Sequence, residues 1–368
     1  GARGLVVHVE AHVHAGLPGA TIVGSPDTAC REGLQRVRAA FASSGLTWPG
    51  TTRRVVLNLA PPSVRKLGSG LDLAVAVAVL VAGGAVLAEA VAGTAFVGEL
   101  GLDGALRPVP AVVPLTGALR ALAEVRSVVV PVGSHHEAAL AAPGVVRSAP
   151  TLVALLHALR GHAPWDDPPP PPPAGDGDRI PDLADVRGQH TARRAVEVAA
   201  AGGHHLLLVG PPGAGKTMLA QRLPGLLPPL GDDAALEVTG IWSAAGLRLP
   251  AGGLVRRPPL RAPHHSASVP SIVGGGSAAV RPGEASCAHR GVLFLDELGE
   301  FPSAALDALR TPLEEGVVRV ARASGLVHLP ARFQLVGATN PCPCGDDGPA
   351  CRCTPAMRAR YLRRLSGP

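Results

Sequence analysis

The sequence predicts an α/β fold arranged in two domains. Short apolar segments rich in Val and Leu alternate with Ala-rich helical segments along the chain, and this alternation is typical of layered α/β or α+β structure. In the second half, three apolar segments are each followed by a loop with charged or polar residues. That arrangement is typical of a doubly wound sheet, which binds its ligand at the carboxyl ends of its strands.

A Pro-rich segment separates the two halves. Residues 164–181 include six consecutive prolines, Pro168–Pro173, and such runs favour an extended polyproline II conformation that acts as a semi-rigid linker. A ligand for a proline-binding domain is the alternative interpretation. We therefore expect one domain over residues 1–163 and a second over residues 182–368.

Composition excludes several classes of protein. The chain has 368 residues, of which 46% are hydrophobic and 17% charged, enough to form substantial cores. The longest uncharged apolar run, Leu73–Ala88, is shorter than the roughly 18–20 residues that span a bilayer. No signal-peptide pattern opens the chain, and six cysteines are not a disulfide framework for this length. We expect a cytoplasmic protein without membrane contact and, because residue 1 is not Met and the chain ends abruptly at Pro368, a C-terminally truncated fragment.

The first domain is predicted to contain β-rich segments and helices in alternation. The strands are predicted over Gly4–Glu10, Arg54–Leu59, Ala95–Val97 and Ser127–Val130, and the helices over Asp27–Ser43, Leu71–Leu80 and Thr151–Arg160. In the second domain, strands are predicted over Leu206–Val209, Val292–Leu295 and Phe333–Ala338.

A phosphate-binding loop follows the first strand of the second domain. The residues are Gly210, Pro211, Pro212, Gly213, Ala214, Gly215, Lys216 and Thr217, followed by Met218 in a helical segment. Glycines let backbone N–H groups surround phosphates, and the helix N-terminus adds positive potential. In this pattern the lysine contacts the β- and γ-phosphates and the hydroxyl of Thr217 binds Mg²⁺. The chain has 34 basic residues, of which only Lys66 and Lys216 are lysines, so a lysine at this position is unlikely to be accidental.

The next two strands end in polar residues. Val292–Leu295 is followed by Asp296 and Glu297, and the strand at Phe333 leads to Asn340. Asp296 is expected to hold Mg²⁺, Glu297 to orient or deprotonate the attacking water, and Asn340 to polarise that water. Three strands delivering Lys and Thr, then Asp and Glu, then Asn, predict an additional-strand (AAA+-type) P-loop ATPase; the base-reading motif of a GTPase is missing from the sequence.

Several longer segments resemble one family. They are residues 262–288, the following His289–Phe301 segment, Leu309–Gly316, Asn340–Gly345, Ala15–Asp27 and Val56–Pro62. These segments resemble the magnesium-chelatase-like AAA+ ATPases, and more narrowly the ComM/YifB-type group linked to bacterial competence. The resemblance implies a Lon-like α+β domain (ribosomal protein S5 domain 2-like) followed by a P-loop AAA+ α/β domain.

The resemblance also implies a function. It implies ATP and Mg²⁺ as cofactor and metal, a homo-hexameric ring, and helicase or branch-migration activity on branched or single-stranded DNA in natural transformation or recombination. A chelatase-type ATPase that remodels a protein partner without DNA is the alternative. The family's arginine finger, sensor 2 and lid follow the region at which this chain ends, so we expect weak nucleotide binding and poor hydrolysis by this fragment.

The Lon resemblance raises the question of proteolysis. In the Lon-like stretch Lys66–Asp72, Gly70 stands at the position of the serine nucleophile. The lysine of the dyad should follow the Gly98–Leu100 region, where the sequence has none. A nucleophile without its base is not activated, so we expect no protease activity.

Two insertions supply candidates for DNA contact. One lies before the Asp296 strand and carries Arg257 and Arg261; the other, Gly316–His328, is predicted as a β-hairpin with Arg319 and Arg322. By resemblance both face the pore of a ring, where arginines would follow phosphates without reading sequence. Solvated or inter-subunit arginines are the alternative. Aromatic residues make up 2% of the chain, which argues against base stacking as the main contact.

Four cysteines follow Asn340 closely. Cys342, Cys344, Cys351 and Cys353 form two C-x-C pairs, and four soft ligands suit a structural Zn²⁺. Redox-active or free thiols and an iron–sulfur site are the alternatives.

Overall fold

A computed structural model describes residues 4–166, 170, 181–251, 253–276, 280–322, 325–346 and 351–365. The chain divides into two compact units, a first made mainly of Arg3–Pro173 and a second made mainly of Ala174–Pro250 and Leu254–Pro368. Within the described residues, no helix combines the length and apolarity that a membrane crossing requires.

The first unit contains two three-stranded sheets, a small hairpin and six helices among its described residues. The strands are β1 (His8–His14), β2 (Gly19–Val23), β3 (Arg54–Ala60), β4 (Thr94–Phe96), β5 (Glu99–Leu100), β6 (Leu106–Arg107), β7 (Ser127–Pro131) and β8 (Val146–Ala149). The helices are α1 (Thr28–Ser43), α2 (Asp72–Ala82), α3 (Ala88–Val91), α4 (Val112–Arg120), α5 (His135–Ala141) and α6 (Leu152–Leu159).

Strand β3 is the centre of the first sheet. It pairs antiparallel with β1 and parallel with β2, while β7 lies between β4 and β8 in a parallel sheet. Val55, Leu57 and Leu59 on one face of β3 are fully buried, where they pack with Phe41 and Leu73 in one core. The period of two therefore gives the sheet one buried face.

Most predicted elements of this unit are present with ends shifted by a few residues. Asp27 caps α1 by accepting from the backbone N–H of Cys30 at 2.8 Å, and Thr151 caps α6. The first strand is an exception, because it covers His8–His14 rather than Gly4–Glu10. Its histidines alternate with half-buried apolar residues, the pattern of a strand with one solvated face. Strand β2 and helix α4 were not predicted.

Lys66 lies in this unit with its side chain almost fully buried, at 2% exposure. Its ammonium group donates a hydrogen bond to the carbonyl of Pro61. The residue therefore connects its loop to the segment that directly follows β3.

The second unit is built on a four-stranded parallel sheet with a separate hairpin. The strands are β9 (Leu206–Val209), β10 (Leu260–Arg261), β11 (Val292–Leu295), the hairpin pair β12 (Val317–Arg322) and β13 (Gly325–Pro330), and β14 (Gln334–Thr339). The helices are α7 (His190–Gly202), α8 (Lys216–Ala220), α9 (Leu223–Leu226), α10 (Asp232–Ala245), α11 (Val269–Val273), α12 (Glu284–Cys287), α13 (Ser303–Asp307), α14 (Arg310–Glu315) and α15 (Pro355–Leu365).

The strand order of this sheet is β10-β11-β14-β9. Strand β14 is therefore inserted between the strand that leads into the P-loop and the strand that ends at Asp296, which is the additional strand expected from the sequence. All four residues of β11 are buried. Val292 and Phe294 pack on one side of the sheet, and Leu293 and Leu295 on the other, as in parallel sheets covered on both faces.

The predicted hairpin before the third strand is confirmed. Strands β12 and β13 pair antiparallel with Arg319 opposite His328. Of the Ser-Gly turn predicted between them, Ser324 lies outside the described residues, and Gly325 is the first residue of β13.

Candidate nucleotide site

The P-loop connects β9 directly to α8. Gly213 and Gly215 both have a φ of 78°, in the left-handed region that favours glycine. The backbone N–H of Gly210 donates to the carbonyl of Thr339 at 3.2 Å, which fixes the start of the loop to the end of β14. The predicted strand–loop–helix context of the motif is therefore present.

Lys216 is the first residue of α8 and points its ammonium group back into the loop. The Nζ atom donates to the carbonyl of Gly210 at 2.6 Å, to that of Pro211 at 3.0 Å and to Oδ1 of Asn340 at 3.1 Å. The amide that the sequence placed at the end of the third strand thus lies beside the P-loop lysine, 124 positions away in the chain.

Thr217 and Asp296 form the second contact of the site. The hydroxyl of Thr217 donates to Oδ2 of Asp296 at 2.6 Å, and Oδ1 of Asp296 accepts from the backbone N–H of Glu297 at 3.0 Å. A hydroxyl and a carboxylate oxygen brought together in this way are ligands that suit Mg²⁺. Strands β9 and β11 both end at this site, because each pairs in parallel with β14, which lies between them.

Glu297 follows Asp296 in an unusual backbone conformation. Its φ is 52°, a region that non-glycine residues rarely adopt and that is enriched at functional sites. Its carboxylate is half exposed and Oε2 lies 2.9 Å from Nδ1 of His265. The side chain is therefore accessible and has a polar partner from another element.

Two contacts at this site were missed from the sequence. Gln189 also has a φ of 52° and donates from Nε2 to the carbonyl of Ala214 in the P-loop at 2.6 Å. His265 lies in segment 262–288, and nothing in the sequence placed it beside Glu297. Gln189 lies outside the quoted motifs and His265 inside one of them, and in both cases the only signal was the residue type, an amide before a helix and one of two adjacent histidines.

Two of the four DNA-contact candidates have acidic partners. Arg261 forms a bidentate pair with Glu284 at 2.5 and 2.9 Å, and this carboxylate raises the pKa of Arg261. Arg319 pairs with Glu315 at 2.5 Å. Arg257 also makes an interaction within the protein, and the side chain of Arg322 lies outside the described residues.

The four late cysteines come together in space. The Sγ atoms of Cys342, Cys344, Cys351 and Cys353 all lie within 4.8 Å of one another. Cys342 is buried and Cys344 is exposed, and none of the four forms a disulfide.

Comparison with known proteins identifies the same two regions. The family profile described as magnesium chelatase, subunit ChlI, matches residues 182–368, and a profile described as subunit ChlI of Mg-chelatase matches residues 9–134.

Curated relatives align over almost the whole chain. An uncharacterised protein of Mycobacterium tuberculosis (strain H37Rv) is 50% identical over 100% of this chain and 73% of its own length. The uncharacterised protein YifB of Escherichia coli is 44% identical over 98% of this chain and 70% of its length. Competence protein ComM of Haemophilus influenzae is 42% identical over 100% and 72%.

Among solved structures, the chain is similar to a magnesium chelatase complex of subunits BchI and BchD. The identity is 21% and the TM-score 0.36, covering 51% of this chain and 67% of the other. The profile matches and the relatives aligned across the full sequence lead to one assignment: the chain belongs to the ComM/YifB-type magnesium-chelatase-like family of AAA+ ATPases.

Proposed function

We propose that this protein binds ATP with Mg²⁺ at the P-loop and hydrolyses it, and that the hydrolysis drives movement on DNA. The observation that carries the first part is the convergence of Lys216, Thr217, Asp296 and Asn340 at one edge of a parallel sheet. Glu297 stands beside them with its carboxylate half exposed. Each supplies a group that phosphoryl transfer requires.

The residues have distinct tasks in this reaction. Backbone N–H groups of Gly213–Gly215 and the ammonium of Lys216 hold the phosphates, for which Lys216 exchanges its present carbonyl partners. Thr217 and Asp296 would hold Mg²⁺, which supplies neutralisation of charge on the phosphate oxygens. Glu297 accepts a proton from the water that attacks the γ-phosphorus, and Asn340 orients that water. The products are ADP and inorganic phosphate.

His265 holds one oxygen of the Glu297 carboxylate in this scheme. Its Nδ1 lies 2.9 Å from Oε2, which leaves Oε1 to accept the proton of the attacking water.

Coupling to DNA is supported by the relative named competence protein ComM and by the net charge of +6. We propose a homo-hexameric ring in the cytoplasm, with the hairpin β12–β13 and the insertion that carries Arg257 and Arg261 directed at DNA phosphates. The output would be helicase or branch-migration activity during transformation or recombination. Strands of either branched or single-stranded DNA suit contacts that involve phosphates rather than bases.

A second function is supported by the match to the ChlI profile over residues 182–368. In that case the ATPase remodels a protein partner and makes no DNA contact. The ion pairs of Arg261 and Arg319 with acidic residues of the same chain would then be purely structural.

The two functions separate in an ATPase assay with branched DNA. We expect DNA to stimulate hydrolysis by the purified protein, and added salt to weaken DNA binding steeply because bound counterions are released. Arg319→Ala should reduce stimulation and lower the salt dependence, whereas Arg194→Ala on α7, which is exposed and paired with Glu197, serves as the matched control. If DNA does not change the rate of ATP hydrolysis and no salt-sensitive DNA binding is found, the protein-remodelling function remains.

A further inference from the structure

The cysteine cluster has the dimensions of a single tetrahedral metal site. Three of its Sγ–Sγ distances are 3.3, 3.5 and 3.6 Å, and all four sulfurs lie within 4.8 Å. A Zn²⁺ ion with Zn–S bonds of about 2.3 Å places its four sulfurs about 3.8 Å apart. An iron–sulfur cluster, which inserts several atoms between its thiolates, needs wider spacing.

Groups around the cluster support metal binding. The backbone N–H of Cys353 donates to the Sγ of Cys351 at 3.5 Å, and the guanidinium of Arg358 faces the same sulfur. Four thiolates on one divalent ion carry net negative charge, which a neighbouring arginine offsets. Such outer contacts orient the ligands of metal sites.

The cluster adjoins the nucleotide site at its first pair of cysteines. Cys342 follows Asn340 by two positions, and the backbone N–H of Gly345 donates to the carbonyl of Cys342 at 3.0 Å. Gly345 has a φ of 86°, and a Cβ atom placed there would lie 2.9 Å from Cδ of Pro212 in the P-loop. The loop that carries the cysteines is therefore in close contact with the loop that binds phosphate.

The second pair of cysteines connects to the last helix. Cys353 precedes the first residue of α15 by two positions. Further along this helix, the hydroxyl of Tyr361 lies 2.7 Å from Oγ1 of Thr339 in a buried hydrogen bond. Thr339 is the residue whose carbonyl accepts from Gly210. Thr339, at the end of β14, thus contacts both α15 and the P-loop. The loop with the cysteines connects β14 to α15.

We propose that Cys342, Cys344, Cys351 and Cys353 bind one Zn²⁺, and that this ion holds Asn340 and the P-loop in the arrangement that binds ATP. The metal fixes the loop between β14 and α15, and the contact of Gly345 with Pro212 transmits that order to the phosphate-binding loop. Removal of the ion loosens both and weakens nucleotide binding. The second statement rests on the proposed ATPase function, whereas the first does not.

Metal content tests the first statement. We expect elemental analysis of the purified protein to give one zinc per chain, and Co²⁺ substitution to give the visible absorption of a tetrahedral thiolate site. Cys344→Ser and Cys351→Ser should lose the metal, whereas Cys30→Ser in the first unit should keep it. Iron in place of zinc, or zinc retained by both cluster variants, would overturn the assignment.

Nucleotide affinity tests the second statement without a cysteine variant. The test compares the affinity for a fluorescent ATP analogue in three forms of the protein: as purified, after chelation of the metal, and after Zn²⁺ is added back. Chelation should weaken binding by roughly fivefold or more, within the usual range of coupling between sites, and added Zn²⁺ should restore it. Circular dichroism shows whether the chelated protein remains folded. An unchanged affinity in the folded, metal-free protein would contradict the coupling.

A glycine variant tests the contact itself. Gly345→Ala keeps all four thiols but introduces a Cβ against Pro212, so zinc should stay bound while ATP binding weakens. Gly246→Ala is the matched control because its φ of 73° is similar and no atom lies within 4 Å of the added Cβ. Equal effects of the two variants on ATP binding would show that backbone strain, and not the contact, is responsible. If no form of the protein binds ATP, the ATPase function fails while the zinc assignment stands on its metal content.

Discussion

Glu297 illustrates how the backbone conformation of a single residue separates two adjacent acidic side chains. The left-handed backbone at this position turns the chain sharply after the buried strand β11, so that Asp296 faces Thr217 while the next carboxylate reaches His265. Two adjacent acids are thus directed to different partners, one suited to the metal and the other to water.

We predict that Glu297→Gln binds ATP but does not turn it over. The amide keeps the size of the side chain yet accepts no proton, so kcat should fall roughly 10²- to 10⁴-fold. Equilibrium binding of ATP and single-turnover hydrolysis measure the two properties separately. Lys216→Ala is the comparison and should lose binding itself, since its ammonium is the cation of the phosphate site. Rapid turnover in the glutamine variant, or ATP bound normally by the alanine variant, would contradict these assignments.

Site residues could be predicted from the sequence where they directly follow a recognisable strand. The P-loop, the Asp296–Glu297 pair and Asn340 each follow a recognisable strand, and their side chains converge because parallel strands end at one edge. Gln189 and His265 have no such string, since they reach the site from loops on other parts of the chain. Their contacts depend on tertiary folding and were therefore not predicted.

Among the elements, helix α10 is held near the start of β11 by contacts that include a buried histidine and an ion pair of Arg290 with Glu237 at 3.2 Å. His289, at 2% exposure, accepts from the backbone N–H of Arg332 through Nδ1 at 2.9 Å. Its Nε2 lies 2.9 Å from Oε2 of Glu237 on α10. Because Nδ1 is an acceptor here, the proton of the neutral ring is on Nε2. Burial lowers the pKa of His289, although Glu237 acts in the opposite direction.

This arrangement predicts a loss of stability in mild acid. The unfolded chain takes up a proton on this histidine near pH 6.5, whereas the folded chain takes it up only at lower pH. Stability should therefore decline as the pH falls from about 7 through this window, and level off below the folded pKa. His289→Asn keeps an acceptor near Nδ1 without a titrating group and should flatten the decline in Tm between pH 7 and 5. His12→Asn, at an exposed position of β1, should leave the slope as in the original protein, and an equal effect of both variants would refute the assignment.

Element positions were predicted best for short aliphatic strands, whether buried on both faces like β11 or partly exposed like β9. The strands Val292–Leu295 and Leu206–Val209 have the predicted ends, because a short aliphatic run between polar turns leaves few alternatives. Strand β1 was placed four residues too early, since Leu5–Val7 is more apolar than the alternating segment that follows. The position of β14 in the middle of the sheet matches the additional-strand interpretation, but its contacts with the neighbouring strands required the structure.

On the scale of the whole molecule, the two compact units should differ in their response to nucleotide. The proposed site lies wholly within the second unit, whereas the core around Phe41 and Leu57 belongs to the first. We predict two calorimetric unfolding transitions. ATP with Mg²⁺ should raise the midpoint temperature of only one of them. A ligand at 100 times its Kd stabilises the unit that binds it by about 2.7 kcal/mol.

The Lys216→Ala variant provides the control for calorimetry. Its transitions should coincide with those of the original protein without nucleotide and should not move when ATP is added. One cooperative transition that shifts as a whole would show that the units unfold together, and a nucleotide shift in the variant would place binding elsewhere.

The two lysines have a practical consequence for chemistry on this protein. Lys66 is buried and bonded to a carbonyl, while Lys216 is half-buried at the P-loop. An amine-directed reagent therefore has one accessible lysine side chain as its target, and that target is the proposed site. Labelling followed by mass spectrometry would report occupancy directly, because a bound triphosphate would shield the one reactive lysine. If the proposed ATPase function holds, acylation of Lys216 should abolish nucleotide binding in a single chemical step.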